Sequence, residues 1–561
     1  MQFSDPSHQP QGARTRALDS TTAGTGSRET RWWQRAVIYQ VYPRSFQDSN
    51  DDGIGDLAGV TCRLPYLKAL GVDAIWLSPI FPSPMRDFGY DISAYTDIDP
   101  IFGTLSDFDI LIAAAHGLKL KVLLDLVPNH TSEQHPWFVE SRSSRDNPKR
   151  HWYLWRDPAP DGGPPNNWLS QFGGSAWELD QQTGQYYYHA FLREQPDLNW
   201  RNPDVRVAMH DVMRFWLARG VDGFRVDVIW HLLKDEQLRD NPINLNWTTG
   251  QPATEQLLPI HTTDLPEVHD VIAGLRSVVD EFDARVLIGE VYLPFDRLVA
   301  YYGRDLGGVH LPFNFALLRA PWHARTIAQL IDEYELLLPA GGWPNWVLGN
   351  HDCARIATRV GSDQSRVAAM LLLTLRGTPT IYYGDELGMI QVSVPAERVS
   401  DPLERNMPGF GLGRDGARTP MQWDRAVFGG FSRHEPWLPL ANDFSIRNVF
   451  DQAQSEDSML NLYRRLISLR RRTPALVIGS YRRVPTEGEV LVFVRQHTRE
   501  SVLVALNFSS SAATVDVGQK GPLGRILLSS GGSRDGEPVG GRLELHGNEG
   551  LVIAPETNWR G

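Results

Sequence analysis

The chain has 561 residues, of which 42% are hydrophobic and 22% charged, so it can bury a large core and is not a disordered polypeptide. Its formal net charge is −12 and it has no basic run, which argues against nucleic acid or an anionic membrane surface as a partner. No segment approaches the roughly 18 consecutive apolar residues of a membrane-spanning helix.

Two further features of the sequence are its N-terminus and its two cysteines. Residues 1–30 are rich in Ser, Thr, Gly and Arg and lack the apolar stretch of a secretory signal, which predicts a disordered extension. Cys62 and Cys353 lie too far apart in sequence to suggest a disulfide framework or a zinc cluster. A cytoplasmic location is therefore expected, and the oligomeric state is left open.

From residue 31 onward, apolar runs alternate with segments of helical spacing. The runs predicted to be strands are 37–41, 72–77, 120–127, 223–228, 285–290, 309–315, 346–349 and 379–383. The segments predicted to be helices are 58–70, 110–117, 204–219, 365–376 and 458–471. Continuous apolar strands that alternate with helices indicate a parallel sheet covered on both faces. Eight such units predict a closed (β/α)8 barrel, a TIM barrel, over 31–128 and 201–470.

Three segments break the alternation. Residues 129–200 are rich in Pro, Gly, Asn, Asp and aromatics and are too long for a plain loop, so we expect an inserted domain after the third strand. Residues 387–442 form a second irregular insert after the eighth strand. Residues 471–561 change to short alternating strands with Gly-rich turns, which predicts a separate C-terminal antiparallel β-sandwich.

Carboxylates follow three of the predicted strands, namely Asp227, Glu290 and Asp352. A barrel brings the carboxyl ends of its strands to one face, where barrel active sites lie, although any one of the three could instead be a helix N-cap. Two carboxyl groups that face one pocket are the minimum for glycoside hydrolysis. Arg225 points to the same side of its strand as Asp227 and would keep that carboxylate ionised.

Six sequence motifs resemble one known family. DLVPNH (125–130), GFRVDV (223–228), GEVY (289–292) and NHD (350–352) resemble, in this order, the α-amylase superfamily, glycoside hydrolase family 13, over residues 31–470. QPDLNW (195–200) and ARTPMQWD (417–424) are similar to the oligo-1,6-glucosidase and α-glucosidase branch. By resemblance, Asp227 is the nucleophile, Glu290 the general acid/base and Asp352 the transition-state stabiliser.

The resemblance also implies a set of sugar-binding residues. It places His130, Arg225 and His351 in the substrate subsites, although either histidine could be purely structural. In DFGYD, Asp87 matches the acid that binds the non-reducing glucose, and Tyr90 matches the ring stacked beneath it. Arg414 matches the arginine that pairs with this acid, and the pair would close the pocket behind one glucose. The alternative is an ordinary salt bridge.

A loop after the first strand follows a calcium-loop pattern. Its oxygen donors would be Asp48, Asn50, Asp52, the Ile54 carbonyl and Asp56. It is not an EF-hand, because position 12 is Gly59 and a strand precedes the loop. It resembles the structural Ca²⁺ (or Mg²⁺) site of the same branch, with a metal-free polar turn as the alternative. No organic cofactor is expected.

These features together predict a retaining exo-α-glucosidase that acts on short α-linked gluco-oligosaccharides and can also transfer glucose. Val228, directly after the nucleophile, resembles the α-1,6-active members of the branch and suggests that linkage preference. A glucosyl transferase or isomerase of the same fold, such as a trehalose synthase, is the alternative. A non-catalytic scaffold is a weaker one, because all three carboxylates are present.

Overall fold

Eight parallel strands form the centre of the molecule in a computed structural model that describes residues 30–498, 500–517 and 522–555. The strands are Ile38–Val41 (β1), Ala74–Leu77 (β2), Lys121–Leu126 (β3), Gly223–Val226 (β4), Val286–Gly289 (β5), Leu311–Pro312 (β6), Asn345–Val347 (β7) and Thr378–Tyr382 (β8). They pair in the order β7-β8-β1-β2-β3-β4-β5-β6. A parallel bridge between Asn314 and Trp346 closes the ring, so the predicted (β/α)8 barrel is confirmed. The extension predicted at 1–30 lies, except for residue 30, outside the described residues.

Long helices surround the barrel. They are Leu57–Leu70, Leu105–Gly117, Pro203–Ala218, Val268–Asp280, Ala324–Leu337, Ser362–Thr374 and Met459–Arg472. The second begins five residues before the predicted 110, because Thr104 and Asp107 form a capping box at its N-terminus. The helices Val268–Asp280 and Ala324–Leu337 were not among the predicted elements. Both bury apolar residues at three- and four-residue spacing against the barrel.

The segment after β3 folds around its own aromatic core. It contains the helix Pro136–Ser143 and a three-stranded antiparallel sheet of Trp155–Arg156, Gln185–Tyr188 and Trp177–Asp180. Buried Trp168, Trp177 and Tyr188 pack together in it. A buried ion pair between Lys234, after β4, and Asp197 ties this segment to the barrel mouth.

The segment after β8 has little regular structure. Its elements are the short helix Pro402–Asn406 and several single 3-10 turns. Side chains such as Arg414 and Arg418 nevertheless become buried there, because they reach into the barrel mouth.

The C-terminal part is a two-sheet antiparallel structure. Its larger sheet contains Ser480–Val484, Val490–His497, Glu500–Asn507, Gly550–Pro555, Pro522–Ser529 and Pro538–Gly540, in that spatial order. The strands Ala513–Asp516 and Arg542–Leu545 form the smaller sheet, and the two sheets share an apolar core. Within the described residues, no helix is long and apolar enough to cross a membrane.

Candidate active site

One arginine organises the carboxylates at the mouth of the barrel. Arg225, in β4, lies with its Nη1 2.7 Å from Asp125 Oδ1 and 2.6 Å from Asp227 Oδ1. Its Nη2 lies 2.8 Å from Glu290 Oε2. Asp125 is the second-last residue of β3, Asp227 follows β4 and Glu290 follows β5, so three neighbouring strands deliver the three acids to one guanidinium group. The geometry brings Asp227 and Glu290 together, as predicted.

The two carboxyl groups share an environment that favours retaining one proton. Burial raises the pKa of Asp227 and that of Glu290, and Arg225 opposes this rise at both. Glu290 Oε2 also accepts the backbone N–H of Val228 at 2.9 Å, which leaves Oε1 as the site for a proton. One carboxylate and one carboxylic acid facing a pocket can attack and protonate a glycosidic bond.

The backbone at Val228 is strained. This β-branched residue has φ +36° and ψ +44°, in the left-handed region that such side chains rarely adopt. The strain costs about 1–3 kcal/mol and is typical of functional sites. The residue in this conformation, Val228, is also the one whose backbone N–H donates to Glu290. The side chain of Val228 is buried directly after Asp227, at the position expected for a specificity residue.

Asp352 stands opposite this pair in a cationic environment. Its Oδ1 accepts from Arg418 Nη2 at 3.0 Å and from Arg414 Nη1 at 3.4 Å. His351 Nε2 lies 3.5 Å from its Oδ2. Burial opposes the charge, but His351 when it is protonated, and Arg414 and Arg418 at any pH, outweigh burial and hold the pKa of Asp352 well below its usual range. Asp352 therefore remains an anion beside the pocket.

His351 and Tyr90 belong to one hydrogen-bonded chain. Gln40 Nε2 lies 2.8 Å from His351 Nδ1, and His351 Nε2 lies 2.6 Å from the Tyr90 hydroxyl, which donates to Asp125 Oδ2 at 3.0 Å. If the Gln40 amide donates to Nδ1, the ring proton is on Nε2 and points to Tyr90. The two rings are parallel, with centroids 5.4 Å apart. Burial lowers the pKa of His351 to about 3, so the ring is neutral.

The predicted ion pair between Asp87 and Arg414 is present. Arg414 Nη2 lies 2.7 Å from Asp87 Oδ1, and both side chains are buried. Gln195, from the inserted segment, donates towards Asp87 Oδ2 at 3.4 Å and lies 3.2 Å from His130 Nε2. His130 Nε2 is 3.0 Å from the backbone carbonyl of Tyr90, and burial lowers its pKa to about 4. The inserted segment thus completes the wall around Asp87.

Some functional residues had no predicted role. They are Gln40, Asp125, Gln195, Asp401 and Arg418. Asp125, Gln195 and Arg418 lie inside the motifs DLVPNH, QPDLNW and ARTPMQWD, so those motifs held the signal. Gln40 is a polar residue in a buried strand, which is itself a signal. Asp401 lies in an irregular segment with no periodic pattern.

The predicted metal loop forms a tight turn held by its own backbone. Asp48 accepts the amides of Asn50, Asp51 and Gly53, and Asp56 accepts those of Ser49 and Gly59. Asn50 and Asp52 are exposed. Nowhere in the described part of the chain do three His, Cys, Asp or Glu side chains converge as a metal site. The donors are all oxygens, which is the donor type that Ca²⁺ and Mg²⁺ prefer. The metal site therefore stays a prediction.

Comparison with known proteins places this geometry in context. The family model of the α-amylase catalytic domain matches residues 40–479. A probable alpha-glucosidase of Rhizobium meliloti is 45% identical over 90% of this chain and 94% of its own length. An oligo-1,6-glucosidase of Heyndrickxia coagulans is 38% identical over 87% of this chain and 94% of its own length.

Solved structures extend the likeness to the whole described fold. An alpha-glucosyl transfer enzyme, XgtA, is 41% identical with a TM-score of 0.90 and covers 94% of this chain and 100% of its own. The trehalulose synthase MutB from Pseudomonas mesoacidophila is 34% identical with a TM-score of 0.86, over 94% of this chain and 100% of its own. The family model spans most of the chain, and these relatives are 34–45% identical over nearly all of it: the chain belongs to the α-amylase catalytic-domain family, glycoside hydrolase family 13.

Proposed function

We propose that the protein is a retaining, exo-acting α-glucosidase that releases glucose from the non-reducing end of short α-linked gluco-oligosaccharides. One observation carries the proposal: the Asp227–Glu290 pair on Arg225 lies at the same barrel mouth as the Asp87–Arg414 ion pair, and Asp352, which Arg414 approaches at 3.4 Å, lies close enough to both acids of the first pair to raise their pKa values. An ion pair across one end of the pocket leaves room for a terminal sugar but not for a continuing chain.

The geometry supports a two-step reaction. Asp227 attacks the anomeric carbon while Glu290 gives its proton to the leaving glycosidic oxygen, so a glucosyl–Asp227 ester forms and the aglycone departs. Glu290, now a carboxylate, takes a proton from water, and the resulting hydroxide attacks the same carbon and releases Asp227. Two inversions at one carbon retain its configuration.

The other side chains act on the charge and position of the sugar. Asp352, held as an anion, faces the positive charge that develops on the sugar ring. Arg225 favours the ionised form of Asp227 when Glu290 carries the proton. Asp87, Gln195 and neutral His130 and His351 offer hydrogen-bonding groups to the sugar hydroxyls. A sugar or alcohol that replaces water in the second step would give transglucosylation.

The first experiment is product analysis on a panel of maltose, isomaltose, maltotriose, trehalose, sucrose and soluble starch at equal concentration. We expect glucose from the short α-linked sugars and little from starch. Disaccharide interconversion without net glucose would replace the proposal by an isomerase of the same fold. Turnover of starch to oligosaccharides would contradict the closed pocket, and no turnover of any sugar would favour a non-catalytic scaffold.

A variant tests the closed end of the pocket directly. Asp87→Ala removes the acid that pairs with Arg414, so we expect the KM for maltose or isomaltose to rise by roughly 10- to 100-fold, since a charged hydrogen-bonding group is worth about 1.5–3 kcal/mol. Unchanged activity on both disaccharides would contradict the assignment of Asp87.

We further propose that the loop 48–56 holds a structural Ca²⁺ or Mg²⁺ through Asp48, Asn50, Asp52, the Ile54 carbonyl and Asp56. The support is the spacing of five oxygen donors and the burial of Asp48 and Asp56 within the turn. A bound ion would stabilise the native state by mass action, so EDTA should lower the melting temperature and added Ca²⁺ should restore it. An unchanged melting temperature in EDTA would overturn this proposal.

A further inference from the structure

Arg414 is held mainly by a residue other than its predicted partner. Four of its hydrogen bonds go to Asp401: the backbone N–H and Nη2 donate at 2.7 Å each, and Nε donates to both carboxylate oxygens at 3.1 Å. Asp87 receives a single bond, from Nη2 at 2.7 Å. Asp401 therefore binds both the backbone and the side chain of Arg414.

Asp401 is itself fixed in place. Its own backbone N–H and that of Ser400 both donate to Asp415 Oδ2, at 3.0 and 2.6 Å. Its Oδ1 accepts the N–H of Leu403 at 3.1 Å and so caps the helix Pro402–Asn406. Asp401 is buried and both of its carboxylate oxygens already accept hydrogen bonds from Arg414 or Leu403, so we expect it to act through Arg414 rather than on a sugar.

The consequence for Asp87 is geometric. Asp401 fixes the guanidinium group, so Nη2 already points to Asp87 Oδ1 without a bound sugar. Among the described residues, only Gln195, at 3.4 Å, donates to the second oxygen of Asp87, which can therefore accept a sugar hydroxyl. Arg414 Nη1 also approaches Asp352 at 3.4 Å, but Arg418 holds that carboxylate more closely, at 3.0 Å.

We propose that Asp401 is a positioning residue that sets the affinity for the terminal glucosyl unit by holding Arg414 against Asp87 before the sugar binds. This inference rests on the proposed function of the same pocket. A preformed ion pair spares the substrate the cost of ordering Arg414 during binding. The reacting pair Asp227–Glu290 lies outside this arrangement, so binding should suffer far more than the chemical step.

The test is Asp401→Asn, which keeps the shape and removes the charge. We expect its KM for the best substrate of the panel to rise by roughly 10- to 30-fold with kcat within about 3-fold, the pattern of a lost ground-state interaction. In an Asp87→Asn background the same change should raise KM by less than about 3-fold, because the residue that Arg414 positions is already lost. Asp401→Glu, which keeps the charge but shifts it by one methylene, should give an intermediate KM and serves if the Asn variant does not fold.

Asp222→Asn is the matched control. Asp222 is a buried carboxylate at the opposite end of β4, bonded to His116, Lys121 and the Val122 amide. It should lower the melting temperature and leave KM unchanged. A fall in kcat at constant KM, or the full KM effect in the Asp87→Asn background, would overturn the role of Asp401.

Glucose binding separates this proposal from the proposed function. Calorimetric titration of glucose should give a Kd that is weaker in Asp401→Asn than in the unmodified protein by the same factor as KM. If no sugar of the panel is turned over, the proposed function fails, and this ratio alone then decides whether Asp401 positions Arg414. An equal Kd in both proteins would overturn the inference.

Discussion

Two regions of the molecule bury arginines against different kinds of partner, charged carboxylates in one and uncharged backbone carbonyls in the other. At the barrel mouth, Arg225, Arg414 and Arg418 bind carboxylates. Where the barrel meets the C-terminal sheets, Arg470 donates to the carbonyls of Leu373 and Leu375, and Arg495 donates to those of Thr374 and Gly479.

The pKa values of the buried arginines shift in opposite directions in the two regions. Burial lowers the pKa of Arg470 to about 10 and that of Arg495 well below its usual value, since the groups that accept their hydrogen bonds are uncharged carbonyls. At the mouth, burial also disfavours the charge, but Asp125 and Glu290 outweigh it at Arg225 and hold its pKa well above the usual value. Where the barrel meets the C-terminal sheets, arginine caps a helix end, whereas at the barrel mouth it sets the charge of the catalytic acids. Stability and activity should therefore respond to different substitutions.

The largest expected effect comes from Asp227→Asn at the mouth. Removal of the nucleophile should lower kcat on maltose by more than about 10⁴-fold, because no other side chain can form the glucosyl ester. The melting temperature should change little, since the amide keeps the shape and one buried charge is lost. Residual activity above about 1% would contradict the role of Asp227.

Arg495→Met tests the other region. It leaves the Thr374 and Gly479 carbonyls without their donors, so we expect the free energy of unfolding to fall by about 3 kcal/mol in urea titrations, with kcat per folded molecule unchanged. Arg482→Met, at an exposed position on the neighbouring strand Ser480–Val484, is the control and should shift it by less than about 0.5 kcal/mol. A loss of kcat at full stability would break the comparison.

The pH dependence of activity should arise only from the carboxyl groups at the barrel mouth. Because burial raises the pKa values of the Asp227–Glu290 pair, kcat/KM should be bell-shaped in pH. Activity requires one ionised and one protonated carboxyl, so the acid-side loss should begin above the ordinary carboxyl pKa of roughly 4, and the alkaline loss should follow removal of the shared proton.

The neighbouring histidines provide the check on that assignment. His130 and His351, with pKa values lowered to about 4 and about 3, should remain neutral between about pH 5 and 9. His351→Gln should therefore lower activity without moving either limb of the profile. A limb that moves in this variant would assign the titration to the histidine.

The smallest effect is expected at Val228. Val228→Thr replaces a methyl group by a hydroxyl beside Asp227 and should shift the ratio of kcat/KM for isomaltose to that for maltose towards maltose, by roughly 10-fold or less. A higher kcat/KM for maltose than for isomaltose in the unmodified protein would contradict the α-1,6 preference. The melting temperatures of Val228→Thr and of the unmodified protein serve as the control, because a change in the strained backbone at this position would make them differ.

The accuracy of the sequence-based predictions differs between regular and irregular segments. Asp227, Glu290 and Asp352 each follow a buried apolar run, so their placement on one face follows from barrel geometry. The helix Val268–Asp280 has clear three- and four-residue apolar spacing and could have been predicted. The strand β6 contains only Leu311 and Pro312 and is too short to show a period, whereas the sequence predicts a longer strand over 309–315.

The sequence by itself determined the barrel, the order of its parts and the acids that end its strands, because periodicity and strand-end position are local properties. Only the tertiary structure decided that Arg414 binds Asp401 more fully than Asp87, and that Gln195 reaches the same pocket from the inserted segment. Those contacts join loops that are distant in sequence. Their energy depends on which charges become buried together, and no local pattern records that.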